Sequence, residues 1–353
     1  MGNRNLFADR WRLHTQLDLK KMKAYIKAIE YYLPEKVLTN EQIAERFPEW
    51  SAEKVANKVG ISERHLSADD ETASDLAFKA AEKLFSNNGG TREQIDFILL
   101  NSQSVDYKLP SSSCILQDRL GLSTACGAFD MNLGCSGYEY GLAVAKGLLS
   151  AGIAKNVLLL TAETYTKYIH PEDKGNQTIF GDAATATIVS TDGFAEIGEF
   201  VLGTDGSGAD TLIVNTGGAR TPNKTNVSIT HENGNIQWED NLYMDGAAIF
   251  NFTSDAVPLM VEQILSKENL QQDDVNLWVF HQANKYMINY LRKLMCIEKD
   301  KFFVYMDKVG NTVSNTIPIA LCEAKKAGKL RGNVLLAGFG VGLSWGATIL
   351  RCK

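Results

Sequence analysis

No apolar run in this chain approaches the ~20 residues needed to cross a bilayer, so nothing in it reads as a membrane anchor. Positive charge is scarce too. Lys and Arg number 36 against 42 Asp and Glu, for a formal net charge of -6, and no Lys/Arg stripe is long enough to follow a nucleic-acid backbone. The six cysteines, Cys114, Cys126, Cys135, Cys296, Cys322 and Cys352, form no C-x-x-C pair and have no histidine at zinc spacing. They read as reduced thiols of a cytoplasmic protein, with no metal site. No P-loop or dinucleotide fingerprint occurs. Residues 1–21 are polar and mixed in charge, unlike a secretory signal, and are expected to be a disordered extension.

What is present is the composition of an ordinary globular protein, 44% hydrophobic and 22% charged, over 353 residues. That length suits two domains or one duplicated domain. Short apolar runs alternate with helical stretches, the pattern of an α/β protein. Strands are expected at residues 25–32, 97–101, 156–161, 184–190, 277–281, 333–337 and 346–351, and their continuous apolar character fits cover on both faces. Helices are expected at residues 74–86, 137–149, 246–267, 285–294 and 314–327.

The chain also resembles itself. Gln94-Ile95-Asp96-Phe97-Ile98-Leu99-Leu100-Asn101 matches Asp274-Val275-Asn276-Leu277-Trp278-Val279-Phe280-His281: a polar lead, an apolar strand, a polar end. Gly134-Cys135 ahead of a small-residue helix answers Gly310-Asn311 ahead of another. Ala151-Gly152 before Asn156-Val157-Leu158-Leu159 answers Ala327-Gly328 before Asn333-Val334-Leu335-Leu336, and Ala186-Thr187-Ile188 answers Ala347-Thr348-Ile349. Four landmarks in one order point to a duplication, with halves at residues 22–193 and 194–353. The break is expected near residues 191–198, where Asp192-Gly193 signals a turn. Equivalent strand ends of such halves converge on a pseudo-twofold axis, and ligands of α/β sheets bind at strand ends. Cys135 and Asn311 then become symmetry mates, each opening a helix, with His281 at the end of a strand.

Each of these residues has a chemical reading and a bland one. Cys135, in Asn132-Leu133-Gly134-Cys135-Ser136-Gly137, stands at a helix N-terminus, where free N–H groups and the macrodipole favour a thiolate nucleophile; otherwise it is a small buried core residue. His281, in Val279-Phe280-His281-Gln282-Ala283-Asn284, is a catalytic imidazole or a hydrogen-bonded core histidine. Asn311, in Gly310-Asn311-Thr312, is a hydrogen-bond donor or a helix N-cap. The run Gly338-Phe339-Gly340-Val341-Gly342-Leu343-Ser344-Trp345-Gly346 lets backbone approach a ligand and aim N–H groups at it, as an oxyanion hole requires. His14, His65, His170 and His231 have no metal-like spacing and read as structural.

The Gly-Cys-Ser-Gly turn, His-Gln-Ala-Asn, Gly-Asn-Thr with its following Ile-Pro, and the glycine-rich run resemble the β-ketoacyl-acyl-carrier-protein synthase III family, within the thiolase-like superfamily. Gly60-Ile61-Ser62-Glu63-Arg64-His65 and Phe180-Gly181-Asp182-Ala183 resemble it too, so the likeness runs from about Met22 to the C-terminus. It implies a five-layered αβαβα fold of two duplicated halves, usually a homodimer. It further implies a decarboxylating condensation: a starter acyl group on Cys135 is joined to malonyl-acyl carrier protein to give a 3-oxoacyl product, in fatty acid or related biosynthesis. The backbone N–H groups of Cys135 and Val341 would hold the oxyanion. His281 and Asn311 would donate to the enolate oxygen. Leu109, Phe250, Gly340 and Gly342 would line the pocket. No cofactor is needed beyond acyl thioesters of CoA or acyl carrier protein, and neither a nucleic acid nor a membrane is an expected partner.

The chain departs from the family it resembles where the adenine nucleotide of acetyl-CoA is gripped. Lys54, Lys58 and Lys174 stand where a Trp and Arg residues are expected, and lysine offers no aromatic face. That leaves a non-acetyl or carrier-borne starter open. Lys285, Arg292 and Lys293, on the helix after His281, are a docking face for an acidic carrier protein or simply a solvated surface. The alternatives in activity are a non-decarboxylating relative, hydroxymethylglutaryl-type or aryl-ketone-forming, and a Cys-His-Asn hydrolase. The first needs a carboxylate base, and residues 103–110 offer only Asp106. The second, in the papain arrangement, explains neither the repeat nor the glycine-rich run.

Overall fold

The computed structural model describes residues 22–87, 92–230 and 236–353; the N-terminal stretch 1–21, with His14, and His231 lie outside them. Nine strands form the main sheet: β1 (Tyr25–Tyr32), β2 (Phe97–Asn101), β3 (Gly127–Met131), β4 (Asn156–Glu163), β5 (Ala183–Ser190), β6 (Ala195–Thr204), β7 (Val275–Phe280), β8 (Gly332–Gly340) and β9 (Ser344–Cys352). Their order is β7-β8-β9-β6-β1-β5-β4-β2-β3. The pairing repeats. β4 runs parallel to β2 and antiparallel to β5, which pairs antiparallel with β1. In the same way β8 runs parallel to β7 and antiparallel to β9, which pairs antiparallel with β6. β3, parallel to β2, is answered by the parallel bridge of Phe302 to Trp278 on β7. The two sets join through Tyr25↔Glu196 and Ile26↔Ala195.

The described helices are α1 (Asn40–Arg46), α2 (Ala52–Val59), α3 (Ala73–Asn87), α4 (Ser112–Arg119), α5 (Gly137–Ser150), α6 (Lys174–Gln177), α7 (Gly246–Glu268), α8 (Lys285–Leu294) and α9 (Thr316–Lys326). Strand alternation assigns them to layers. Leu99 and Leu159 face inward with Leu277, Val279 and Leu336, and all five pack on Leu142 and Leu149 of α5 and Ile317 and Leu321 of α9. Ile98, Leu100 and Leu158 face the other way, onto Leu76, Leu84 and Leu116 of α3 and α4. Trp278, Phe280 and Leu335 do the same against Val257 and Ile264 of α7 and Leu291 of α8. Each fully buried Leu or Ile contributes roughly 1.5–3 kcal/mol. The result is five layers, αβαβα, in the thiolase-like fold, with α5 and α9 as the shared central layer.

Two strands escape the sequence pattern. β3 is a half-exposed edge whose Asp130 carboxylate accepts from the Ser112 and Ser113 N–H groups at 2.7 and 2.8 Å, fixing the start of α4. β6 begins at Ala195, inside the stretch expected to be a break, so the turn is confined to residues 191–194. The helix expected from residue 314 divides into a 3-10 turn, Val313–Asn315, and α9. Elsewhere Arg64, fully buried, donates to Asn40 Oδ1 at 2.7 Å and to the Thr178 carbonyl at 2.6 Å. Asp182 N–H donates to the His65 carbonyl at 2.8 Å. The two outlying motifs thereby form one structural joint.

Candidate active site

The turn Gly134-Cys135-Ser136 leads into α5 with Ser136 as N-cap, but its hydroxyl does not cap the helix. It lies 2.6 Å from Ser344 Oγ, which donates to the Val341 carbonyl at 2.9 Å, so the glycine-rich turn is tied to the nucleophile turn. Gly340 sits against the thiol: a Cβ there would lie 2.7 Å from both Cβ and Sγ of Cys135. The Val341 backbone N–H favours the thiolate form of Cys135. His281 follows β7 by one residue and extends its ladder, donating N–H to the Ala337 carbonyl at 2.8 Å. The Phe339 ring stands edge-on to the imidazole, with centroids 5.7 Å apart. Asn311 is anchored by its backbone to Ile179 and Gly181, at 2.8 and 3.0 Å. Its side-chain Oδ1 accepts from Val313 N–H at 2.9 Å. With the oxygen claimed, the amide hydrogens are the part of the carboxamide left for a ligand.

Cys135, His281 and Asn311 line one cavity of about 170 Å³. Phe180, Leu212, Met244, Ile249, Met287 and Phe339 supply apolar wall. Burial works on the two titratable groups in opposite senses, because it penalises the charged form. It pushes the Cys135 thiol up to about 12, against the pull of the Val341 amide and with a further push from the Glu163 carboxyl. It pushes His281 down to about 3. The helix N-terminus is expected to favour the thiolate; burial of this residue, only 7% exposed, pushes the thiol the other way. Thiol and imidazole are both thereby held neutral near neutral pH.

Glu163 is the neighbouring carboxyl that the sequence reading missed. It closes β4, as Asn101 closes β2, a strand-end position that is a usable signal. It accepts from Gln103 N–H at 3.0 Å, Ser104 Oγ at 2.8 Å and Ser314 Oγ at 3.5 Å, and burial raises it to about 8. Asp106 instead accepts from Ser74 Oγ at 2.5 Å, at the start of α3.

Other expected site residues separate. Gly340 lines the cavity, whereas Gly342, Phe250 and Leu109 do not. Gly342 faces Ser344 at a φ of +139°. On α7 the helical spacing turns Ile249 and Thr253 to the cavity and Phe250 onto Tyr290, with ring centroids 4.7 Å apart. Leu109 is 82% exposed on the loop before α4. Lys54 and Lys58 both lie over the Trp50 ring, at 5.7 and 5.4 Å, so an aromatic face does accompany them. Trp50 stands just before the start of α2, outside the positions compared with the family. Lys174 pairs with Glu49. Arg292 donates to the Ile297 carbonyl at 2.8 Å, just past the end of its helix, so part of its guanidinium is engaged within the chain. Lys285 and Lys293 are exposed.

A family model described as 3-oxoacyl-[acyl-carrier-protein (ACP)] synthase III matches residues 129–206, and its C-terminal counterpart matches residues 265–352. A β-ketoacyl-[acyl-carrier-protein] synthase III of Clostridium perfringens is 36% identical over 323 residues, 91% of this chain and 96% of its own. The chain belongs to the 3-oxoacyl-[acyl-carrier-protein] synthase III family. It is an acyltransferase-type condensing enzyme, as that family is. Its Xanthomonas campestris relative of the same name is also 36% identical, over 94% of this chain and 99% of that protein. A crystal structure of a 3-oxoacyl-(acyl-carrier-protein) synthase III superposes with a TM-score of 0.90 at 46% identity, covering 93% of this chain and 99% of its own. The synthase III of Thermus thermophilus gives 0.82 at 34% identity, with 93% and 99% covered.

Proposed function

We propose that the chain joins a starter acyl group to malonyl-acyl carrier protein by decarboxylating condensation, with Cys135 as nucleophile. The convergence of Cys135, His281 and Asn311 on one cavity carries this reading. In the first half-reaction the Cys135 sulfur takes the acyl group and its proton leaves on the released thiol, so no standing thiolate is required. The Val341 and Cys135 N–H groups, both of which favour negative charge at the sulfur, stabilise the tetrahedral oxyanion, a contribution of a few kcal/mol. In the second, loss of CO2 from the malonyl group leaves an enolate whose oxygen accepts from His281 and Asn311. Neutral donors suit that step, since neither quenches the carbanion by protonating it. The carbanion attacks the acyl carbonyl, the C–S bond to Cys135 breaks, and the sulfur regains a proton. No cofactor takes part.

Trp50 with Lys54 and Lys58 supports CoA as the starter's carrier, since an aromatic ring and two ammonium groups match an adenine and its phosphates. Lys285 and Lys293 offer the positive face for an acidic carrier protein. A homodimer is supported by the edge strand β3, whose Phe129 is 37% exposed beside the loop carrying Tyr107 and Leu109, 62% and 82% exposed. Leu109 would then line the partner's cavity rather than its own. The duplicated halves at residues 22–193 and 194–353 and a cytoplasmic location belong to the same reading; six free thiols support the latter. A non-decarboxylating reaction is disfavoured, because Asp106 is turned to Ser74 and both Glu163 oxygens are engaged.

The test is direct. Purified protein with malonyl-acyl carrier protein is offered acetyl-CoA, longer acyl-CoAs and acyl-acyl carrier proteins, while CO2 release and the mass of the Cys135 peptide are followed. An adduct on Cys135 with stoichiometric CO2 is expected, and both vanish in Cys135→Ala. An adduct without CO2 release from any donor would refute the decarboxylating reading.

A further inference from the structure

The enolate-binding role of His281 depends on which ring nitrogen carries the proton, and the hydroxyl of Thr316 stands where that is decided. His281 Nδ1 lies 2.7 Å from Thr316 Oγ1, both groups buried. That leaves Nε2 as the ring nitrogen available to the cavity, and no described residue hydrogen-bonds it. A hydroxyl has one proton to give. If it goes to Nδ1, Nε2 carries the hydrogen and donates into the cavity. If it goes to the Val313 carbonyl, 3.1 Å away, Nδ1 must carry the hydrogen and Nε2 presents a lone pair. A lone pair there would repel an enolate oxygen.

Two observations favour the first arrangement. The Val313 carbonyl already accepts the Thr316 backbone N–H, so it does not depend on the hydroxyl, and the contact to Nδ1 is the shorter of the two. The local backbone is also held in an unfavourable form to make this contact. Val313 sits at φ 57°, which a β-branched residue adopts only under constraint. That residue's N–H is the one held by Asn311 Oδ1. One strained turn thus orients the Asn311 amide and delivers the Thr316 hydroxyl to His281.

We propose that Thr316 is a positioning residue that fixes His281 in its Nε2–H tautomer, so that imidazole and Asn311 amide donate to the same oxygen. This rests on the condensing reading above, and deepens it. The edge-on Phe339 ring fixes the plane of the imidazole but cannot choose a tautomer, because it offers no hydrogen-bonding atom.

The test compares wild type with Thr316→Val, which keeps the shape without the hydroxyl, and Thr316→Ser, which keeps the hydroxyl. The chain has five histidines, few enough for 15N-histidine NMR to resolve the His281 nitrogens and read the tautomer directly. Cys135 acylation and malonyl-thioester decarboxylation are assayed separately. Wild type and Thr316→Ser should show the Nε2–H form. Thr316→Val should lose that preference and lose decarboxylation by roughly tenfold or more, as a wrong tautomer does elsewhere, while acylation changes little. A wild-type Nδ1–H tautomer overturns the proposal, as does unchanged decarboxylation in Thr316→Val. Should Thr316→Val fail to fold, the wild-type and Thr316→Ser spectra still decide the tautomer. Should wild type release no CO2 at all, the condensing reading fails while the spectrum still reports on Thr316.

Discussion

Burial is the largest influence on the resting charge of the cavity, raising the Cys135 thiol and lowering the His281 imidazole until neither is ionised near neutrality. A papain-like hydrolase needs the opposite, a thiolate paired with an imidazolium. Transfer between thioesters does not, since the departing thiol removes the proton. The three reacting residues were legible in the sequence because each stands in a motif at an expected strand or helix end. Glu163 and Thr316 were not, because a Glu after an apolar strand or a Thr in a helical first turn is ordinary until its partners are known. Glu163 makes a pH prediction. Its folded value, about 8, lies above the ordinary 4.5, so the folded state keeps a proton that the unfolded chain releases. Its contribution to stability is complete below about 4.5 and is lost as pH rises toward about 8. Glu139 and Asp182 are also raised, so the comparison with Glu163→Gln isolates this one group. Wild type should lose stability relative to Glu163→Gln between those two pH values and run parallel to it above them, in denaturant titrations. Parallel curves throughout would show that Glu163 is not protonated in the fold.

Among the elements, central strands were the most legible and edges the least. β2, β4, β5 and β8 are continuous apolar runs, because helices cover both faces. β3 carries Asp130 and Gly127 and has one open edge, so it lacks that signature. The excursion between β6 and α7 supplies Leu212 and Met244 to the cavity from short strands with no periodic pattern. Such segments are legible only through what they touch. The glycine-rich turn between β8 and β9 yields the element-level prediction. Gly340→Ala places a methyl carbon 2.7 Å from Cys135 Sγ, an overpacking that typically costs 1–3 kcal/mol. Cys135 acylation should fall by roughly tenfold or more for a displacement of this kind. The circular-dichroism spectrum should stay native, with a thermal midpoint lowered by only a few degrees, about what such a cost implies. Full acylation activity in Gly340→Ala would mean that the turn has room to spare.

At the scale of the molecule, duplication explains why residues from positions 135, 281 and 311 meet. Strand pairing is repeated in the two sets, α5 and α9 share the central layer, and the turns that carry Cys135 and Asn311 face one cavity with the end of β7. Pattern matching within the sequence exposes that repeat. It cannot expose a subunit contact, which depends on the shape of a surface. The proposed dimer through β3 predicts that Phe129→Glu, a charge on the open edge, gives a monomer by light scattering with reduced condensation and a folded core. A dimer unaffected by this change would move the interface elsewhere. The central claim, one cavity with a nucleophile on one side and two neutral donors on the other, is tested most directly by separating the half-reactions in His281→Ala and Asn311→Ala. Both variants should still acquire the acyl adduct on Cys135, yet lose malonyl decarboxylation by roughly 100-fold or more, the usual loss for one oxyanion donor. Equal loss of adduct formation and CO2 release in both would contradict the account.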